Sequence, residues 1–247
     1  MRLFWRPDQE QAAGGAQFAA GEAPAAPAKG EPSAGVPLET GGMPAAVLAA
    51  GADLTMGRRR LEVAGGAAEV HIVADPSLTA QYRVQSEGPQ PRIEERGEQV
   101  RVVVSRGFLA FDWHSRSVEI ALNPAVSWSI QLSGGAWKVR ADLAGLDLRE
   151  FAVSGGASQV VLSLPAPRAL VPIRFNGGAS KVTMQRPSGV PARVSMKGGA
   201  SRLSFDHLFN GSANGTMEIA TPDFDGAAGA YDLRISGGAS KVSMSTT

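Results

Sequence analysis

The chain has 247 residues, 43% of them hydrophobic, with 24 basic and 23 acidic side chains and a net charge of +1. Near-neutral charge argues against nucleic-acid binding, which draws on a marked basic excess. The absence of cysteine excludes disulfides, thiolate metal sites and cysteine nucleophiles.

Residues 7 to about 50 are rich in Ala, Gly, Pro and Glu, with Pro24, Pro27, Pro32, Pro37 and Pro44 recurring every few positions. Such a segment cannot bury enough apolar surface to offset its ordering entropy. Residues 1–50 are therefore expected to be a disordered tail or linker whose deletion leaves folding unchanged. Leu3, Phe4 and Trp5, between Arg2 and Arg6, form a candidate docking peptide at its tip. The alternative is an ordinary free terminus. The longest apolar stretch near the start, Met43 to Ala52, is about half of the ~20 residues a membrane span needs, and no signal-peptide run is present. The expectation is a soluble, cytoplasmic protein that reaches a membrane only through a partner.

From Leu54 the texture changes. Apolar residues alternate at Leu61 and Val63, Val70 and Ile72, Tyr82 and Val84, Val100 to Val104, Val118 to Leu122, and Trp128 to Leu132. Period two over such short runs is the signal of half-buried strands, so residues 51–247 are expected to form one β domain. Leu143 to Phe151 is the one window that tempts a helix, and its Leu146 and Leu148 suit a strand as well. The aromatic stretch Arg106 to Arg116 reads as a cap on an open end or a loop that meets a partner. Trp113, Trp128 and Trp137 are expected in core or edge-covering positions.

The clearest repeats occupy residues 132–244. SGGAWKV starts at Ser133, SGGASQV at Ser154, NGGASKV at Asn176, KGGASRL at Lys197 and SGGASKV at Ser236, with a weaker AGGAAEV at Ala64. Steps between the central glycine pairs are 21, 22 and 21 residues. The last step, 39, is close to two shortened turns, and the first, 69, to three. Glycine suits a corner that needs positive φ or close backbone approach. Apolar alternation flanks each pair, and proline-bearing stretches at Pro165 to Pro167 and Pro187 to Pro191 read as the second corner. The fold class is all-β, a solenoid-like stack of short strands with a repeat of about 21 or 22 residues. A sandwich of repeated hairpins satisfies the same pattern.

Between Leu132 and Met244, the strings GGAWKVRADLAGLDL, VLSLPAP, NGGASKVTMQRPSGVPARV, KGGASRLSF and SGGASKVSM resemble the bacterial toast-rack domains. These occur in envelope-stress proteins of the phage-shock and antibiotic-response kind and in adhesin-type families. The resemblance implies a β-repeat fold, no catalytic residues and no cofactor. It implies a non-enzymatic binding or scaffolding role in envelope-stress signalling or adhesion. A carbohydrate-active enzyme on a β-helix and a self-assembling filament stand as alternatives.

Lys138, Gln159, Lys181, Arg202 and Lys241 each follow Gly-Gly-Ala by two positions. In register they make a mostly basic ladder. Lys138, Lys181, Arg202 and Lys241 are thus a candidate surface for an anionic polymer, a lipid head-group layer or an acidic protein. A solvated face that blocks edge pairing is the competing reading. A protein partner or self-association through strand edges is expected; nucleic acid is not. Ser158, Ser180, Ser201 and Ser240 also recur, but His71, His114 and His207 do not recur with them, so a triad lacks its base. The serines are expected to satisfy corner backbone groups. Asp206, Asp223, Asp225 and Asp232, with His207, Asn210 and Asn214, read as a polar loop with Asn-Gly turns. Glycosidase or calcium chemistry would need a tighter pattern, and no metal site is expected.

Overall fold

The computed structural model describes residues 46–50, 57–66, 69–104 and 117–247, with the backbone alone for 46–50, 136 and 137. The docking peptide, most of the expected tail and the Arg106–Arg116 stretch lie outside these residues. The strands in chain order are β1 (Ala46–Ala50), β2 (Arg58–Gly65), β3 (Glu69–Ala74), β4 (Tyr82–Glu87), β5 (Arg92–Arg96) and β6 (Gln99–Val104). Next come β7 (Ser117–Leu122), β8 (Ser127–Ser133), β9 (Ala136–Asp142), β10 (Asp147–Ser154), β11 (Ala157–Ser163) and β12 (Leu170–Asn176). The last are β13 (Ala179–Arg186), β14 (Ala192–Phe205), β15 (Phe209–Ala220), β16 (Ala230–Ser236) and β17 (Ala239–Thr246). The Leu143–Phe151 window resolves into a turn and β10.

Each Gly-Gly corner joins two strands into one rung, and rungs pair in parallel. Ile173 of β12 lies beside Phe151 of β10, and Val182 of β13 beside Val160 of β11. Parallel pairing between successive units makes the domain a solenoid and removes the hairpin sandwich. The alternating residues point inward as their period requires. Val153, Val160, Leu162, Ile173, Phe175, Val182 and Met184 are all buried in one core with Trp128, Phe151, Phe205 and Tyr231.

Rungs do not stack in chain order. The succession is β6/β7, β2/β3, β8/β9, β10/β11, β12/β13, β16/β17 and then the two halves of β14. On the other layer the same order runs through β7, β3, β9, β11, β13, β17 and β14. The last copy in the sequence therefore sits between its two predecessors. Each end is closed by a reversed rung. β5 pairs antiparallel with β6 and β4 with β7, while β15 runs antiparallel along the whole of β14. The intervals of 69 and 39 residues do hold three and two steps, but one step in each is reversed.

Two expectations need correction. Ala46–Ala50, placed in the disordered tail, form β1 and pair antiparallel with β4, giving that end strand a partner. The region of Asn210 and Asn214 is a strand: Asn210 opposes Ser204 and Gly211 opposes Leu203, so no turn forms there. Small residues at Gly211 and Ala213 hide its alternation. The second corner does hold the proline stretches, with Pro165 to Pro167 between β11 and β12 and Pro187 to Pro191 between β13 and β14. Its recurring feature is an i to i+3 backbone bond, at Asn123–Val126, Leu143–Leu146, Pro187–Val190 and Thr221–Phe224.

Candidate functional site

The two glycines of each corner do different things. Gly177 has φ 130°, and a Cβ there would lie 2.4 Å from the Gly155 carbonyl oxygen. The first glycine is thus required twice over, by backbone conformation and by the neighbouring rung. The second is not. A Cβ on Gly178 would come no nearer than 4.0 Å to Gly238 O, and nothing lies within 4 Å at Gly135, Gly156 or Gly238. These positions leave the outer surface of the corner open.

The next residues break the strand's alternation. Ala157 is buried, Ser158 exposed, Gln159 half-buried and Val160 buried. The register accordingly passes from Ala157↔Ala179 to Gln159↔Lys181 without pairing the serines. Both the serine and the following long side chain face outward between two inward residues, as in a bulge. The same pattern holds at Ser180, Ser240 and Ser201. Trp137 takes the serine position in β9; its side chain is outside what the structure describes.

Stacking these corners makes an open groove of about 850 Å³. It is lined by the second glycines, the alanines and Ser158, Ser180, Ser240 and Ser201, with Ser212 and Asn214 of β15 at one end. The expected role of the serines is not what the structure shows. All four are exposed, and none donates to a corner carbonyl among the described residues. The corner backbone is satisfied by other corners. The N–H groups of Gly155, Gly177 and Gly237 donate to the adjacent rung, as do those of Ala157 and Ala179. Those of Gly156, Gly178 and Gly238 donate to no backbone carbonyl among the described residues. The exposed side chains along the groove are hydroxyls, with the Asn214 amide at one end.

Beside the serines runs the basic ladder. Its spatial order is Glu69, Lys138, Gln159, Lys181, Lys241 and Arg202. Interleaving of the last rung brings three cations onto three successive rungs. Lys138 faces Glu69, and its charge is one of the smaller influences lowering that carboxyl, after the hydrogen bond from His71. Lys181, Lys241 and Arg202 are exposed, and none meets a carboxylate among the described residues. At a rung spacing of about 4.8 Å, adjacent like charges repel by about 0.9 kcal/mol even at the dielectric of water.

The opposite layer is built differently. Arg149 pairs with Asp147, Arg174 with Glu150, and Arg193 and Arg234 with Asp232. Burial works to raise the Asp232 carboxyl, but hydrogen bonds from Arg193 and Arg234 outweigh it and hold the group below the ordinary carboxylate range. Arg186, buried with Asp206 as its partner, is shifted down by desolvation, against the attraction of that carboxylate. Asp206 and Asp232 thus belong to separate arginine pairs. Among the described residues, no three His, Asp or Glu side chains gather as a metal cage requires.

The groove and its line of hydroxyls escaped the sequence because they depend on both serine and lysine facing outward, a break in period two. The signal available was the constant spacing from Ala to Val across Ser-Lys, which skips one alternation. The stack ends are covered by the reversed strands β4, β5 and β15.

Comparison with known proteins gives a family and a fold. The family model described as the N-terminal domain of toast_rack, DUF2154, matches residues 45–185. No curated protein matches. The crystal structure of a “putative cell adhesion protein” from Clostridium sporogenes ATCC 15579 superposes with a TM-score of 0.59 at 14% identity, over 77% of this chain and 93% of that one. A “putative adhesin” from Bacteroides fragilis NCTC 9343 covers 76% and 91% at 8% identity, with a TM-score of 0.31 too low to carry an argument.

Proposed function

The chain belongs to the toast-rack family, and from that premise we propose that it is a non-enzymatic binding module whose working surface is the corner groove. The observation that carries this is the run Lys181, Lys241 and Arg202, three exposed cations on successive rungs without a carboxylate partner, beside an open groove. On the opposite layer of the same rungs, by contrast, Arg149, Arg174, Arg193 and Arg234 each meet a carboxylate. An adhesion-type role, in which a rigid β-stack presents one long face to the cell envelope, fits the family and the adhesion protein of similar fold. Buried polar side chains favour a non-catalytic reading. Asn123 closes a turn and accepts the Ala125 N–H, while Arg186 and Asp232 serve ion pairs.

The test fills the groove without altering the core. Ser180→Tyr with Ser240→Tyr places two rings at exposed positions. Sedimentation of the purified chain with bacterial cell envelopes is then compared with that of wild type. Wild type is expected to co-sediment and the filled variant to stay in solution at unchanged melting temperature. Equal sedimentation of both would refute the groove as the working surface.

A further inference from the structure

We infer that the ligand of this face is a linear anionic glycan lying along the stack axis, across the strands, with its acid groups on the Lys181–Lys241–Arg202 side. The inference rests on the groove being the working surface and adds its chemistry.

The exposed side chains of the site are hydroxyls and cations, with the Asn214 amide at one end. The hydroxyls of Ser158, Ser180, Ser240 and Ser201 line the groove, and the cations stand one residue beyond them. Ammonium and guanidinium groups demand anions; free hydroxyls suit a partner that both donates and accepts. A chain bearing hydroxyls and carboxylates or sulfates satisfies both sets together.

Direction points the same way. The donors repeat once per rung, about 4.8 Å apart, along the stack. An extended pyranose chain advances by nearly that distance per sugar. An acidic peptide in extended form instead adds to a sheet edge and runs parallel to its strands, and the three cationic rungs, each paired on both sides, offer no such edge. A lipid surface is disfavoured by composition. The exposed large hydrophobic side chains among the described residues are Leu170 and Leu208, neither of which lines the groove. Charge also has a sense along the ladder, with Glu69 at one end and Arg202 at the other, so the ligand's acid groups gather over the β13, β17 and β14 rungs.

The experiment measures binding of a hexameric oligouronide to the full chain by calorimetry, with a neutral cello-oligosaccharide, oligoglutamate, inorganic polyphosphate and phosphatidylglycerol vesicles as alternative probes. Lys181→Glu with Arg202→Glu is compared with Arg58→Glu with Arg60→Glu, an equal charge change at exposed positions on the other layer. Wild type is expected to bind the oligouronide and not the neutral oligomer. The ladder variant should lose roughly tenfold or more in affinity and show a shallower salt dependence, while the control pair loses less than about twofold. Equal loss in both variants, binding of oligoglutamate or polyphosphate as tight as that of the oligouronide, or binding to vesicles alone would each overturn the inference. If Ser180→Tyr with Ser240→Tyr still abolishes envelope binding while the ladder variant does not, the glycan chemistry fails and the groove stands. If neither variant matters, the groove itself fails.

Discussion

Replacing Gly177 by alanine tests the corner geometry more sharply than any other single change. The new Cβ would lie 2.4 Å from Gly155 O and 3.0 Å from Gly155 C, both backbone atoms that cannot swing aside, at φ 130°. Left-handed strain of about 1–2 kcal/mol adds to about 1–3 kcal/mol for forcing packed groups apart, so a loss of roughly 3 kcal/mol is expected. For a domain of this size that corresponds to a fall in melting temperature of roughly 6–12 °C. Gly178→Ala, one residue on, meets nothing nearer than 4.0 Å and should be neutral or raise stability by up to about 1 kcal/mol through the unfolded chain. Urea titration followed by far-ultraviolet circular dichroism gives both values. Equal losses at the two positions, or a larger loss at 178, would refute the assignment of distinct roles.

Asp206→Ala leaves the Arg186 guanidinium buried without its carboxylate and should destabilise by about 3–5 kcal/mol. The double change Arg186→Met with Asp206→Ala should recover much of that in the same urea assay. For Asp232, the folded pKa lies below the unfolded value of about 4. Its contribution is therefore complete above that value and is lost as pH falls through the folded pKa. Asp232→Asn should lower the urea midpoint at neutral pH and flatten its decline below about pH 4. Deleting residues 1–50 removes β1 and uncovers the outer edge of β4. Light scattering should then show concentration-dependent association, and the melting temperature should fall by a few degrees.

Much of the domain was legible because its signals are local. Apolar alternation placed Val153, Phe175, Val182 and Leu233 in the core, and Gly-Gly-Ala spacing counted the rungs. Direction and neighbours were not legible, since a reversed rung such as β15 carries the same alternation as a forward one. Nothing local to SGGASKV tells the last copy to lie between those at Gly177 and Gly198. Of the ladder, the residues were readable and the order was not. In sequence Lys241 follows Arg202, yet in space it stands between Lys181 and Arg202. The pairs of Asp206 with Arg186 and of Asp232 with Arg193 were hidden for a related reason: the partners are separated by 20 and 39 residues along the chain.

Insertion of the last rung between its predecessors alters how the array comes apart. An array stacked in chain order can peel from its terminus one unit at a time, each loss leaving the remainder intact. Here, loosening β16 and β17 opens a slot in the interior and strips the β14 rung and its reversed cover, β15, of their contact with the rest. The C-terminal third must therefore form and dissolve as a unit. During synthesis the β14 rung has no seat until residues 230–246 emerge. A domain assembled from near-identical pieces thereby acquires a closing step, like a keystone set last, and with it an all-or-none stability that its repetition alone would not give.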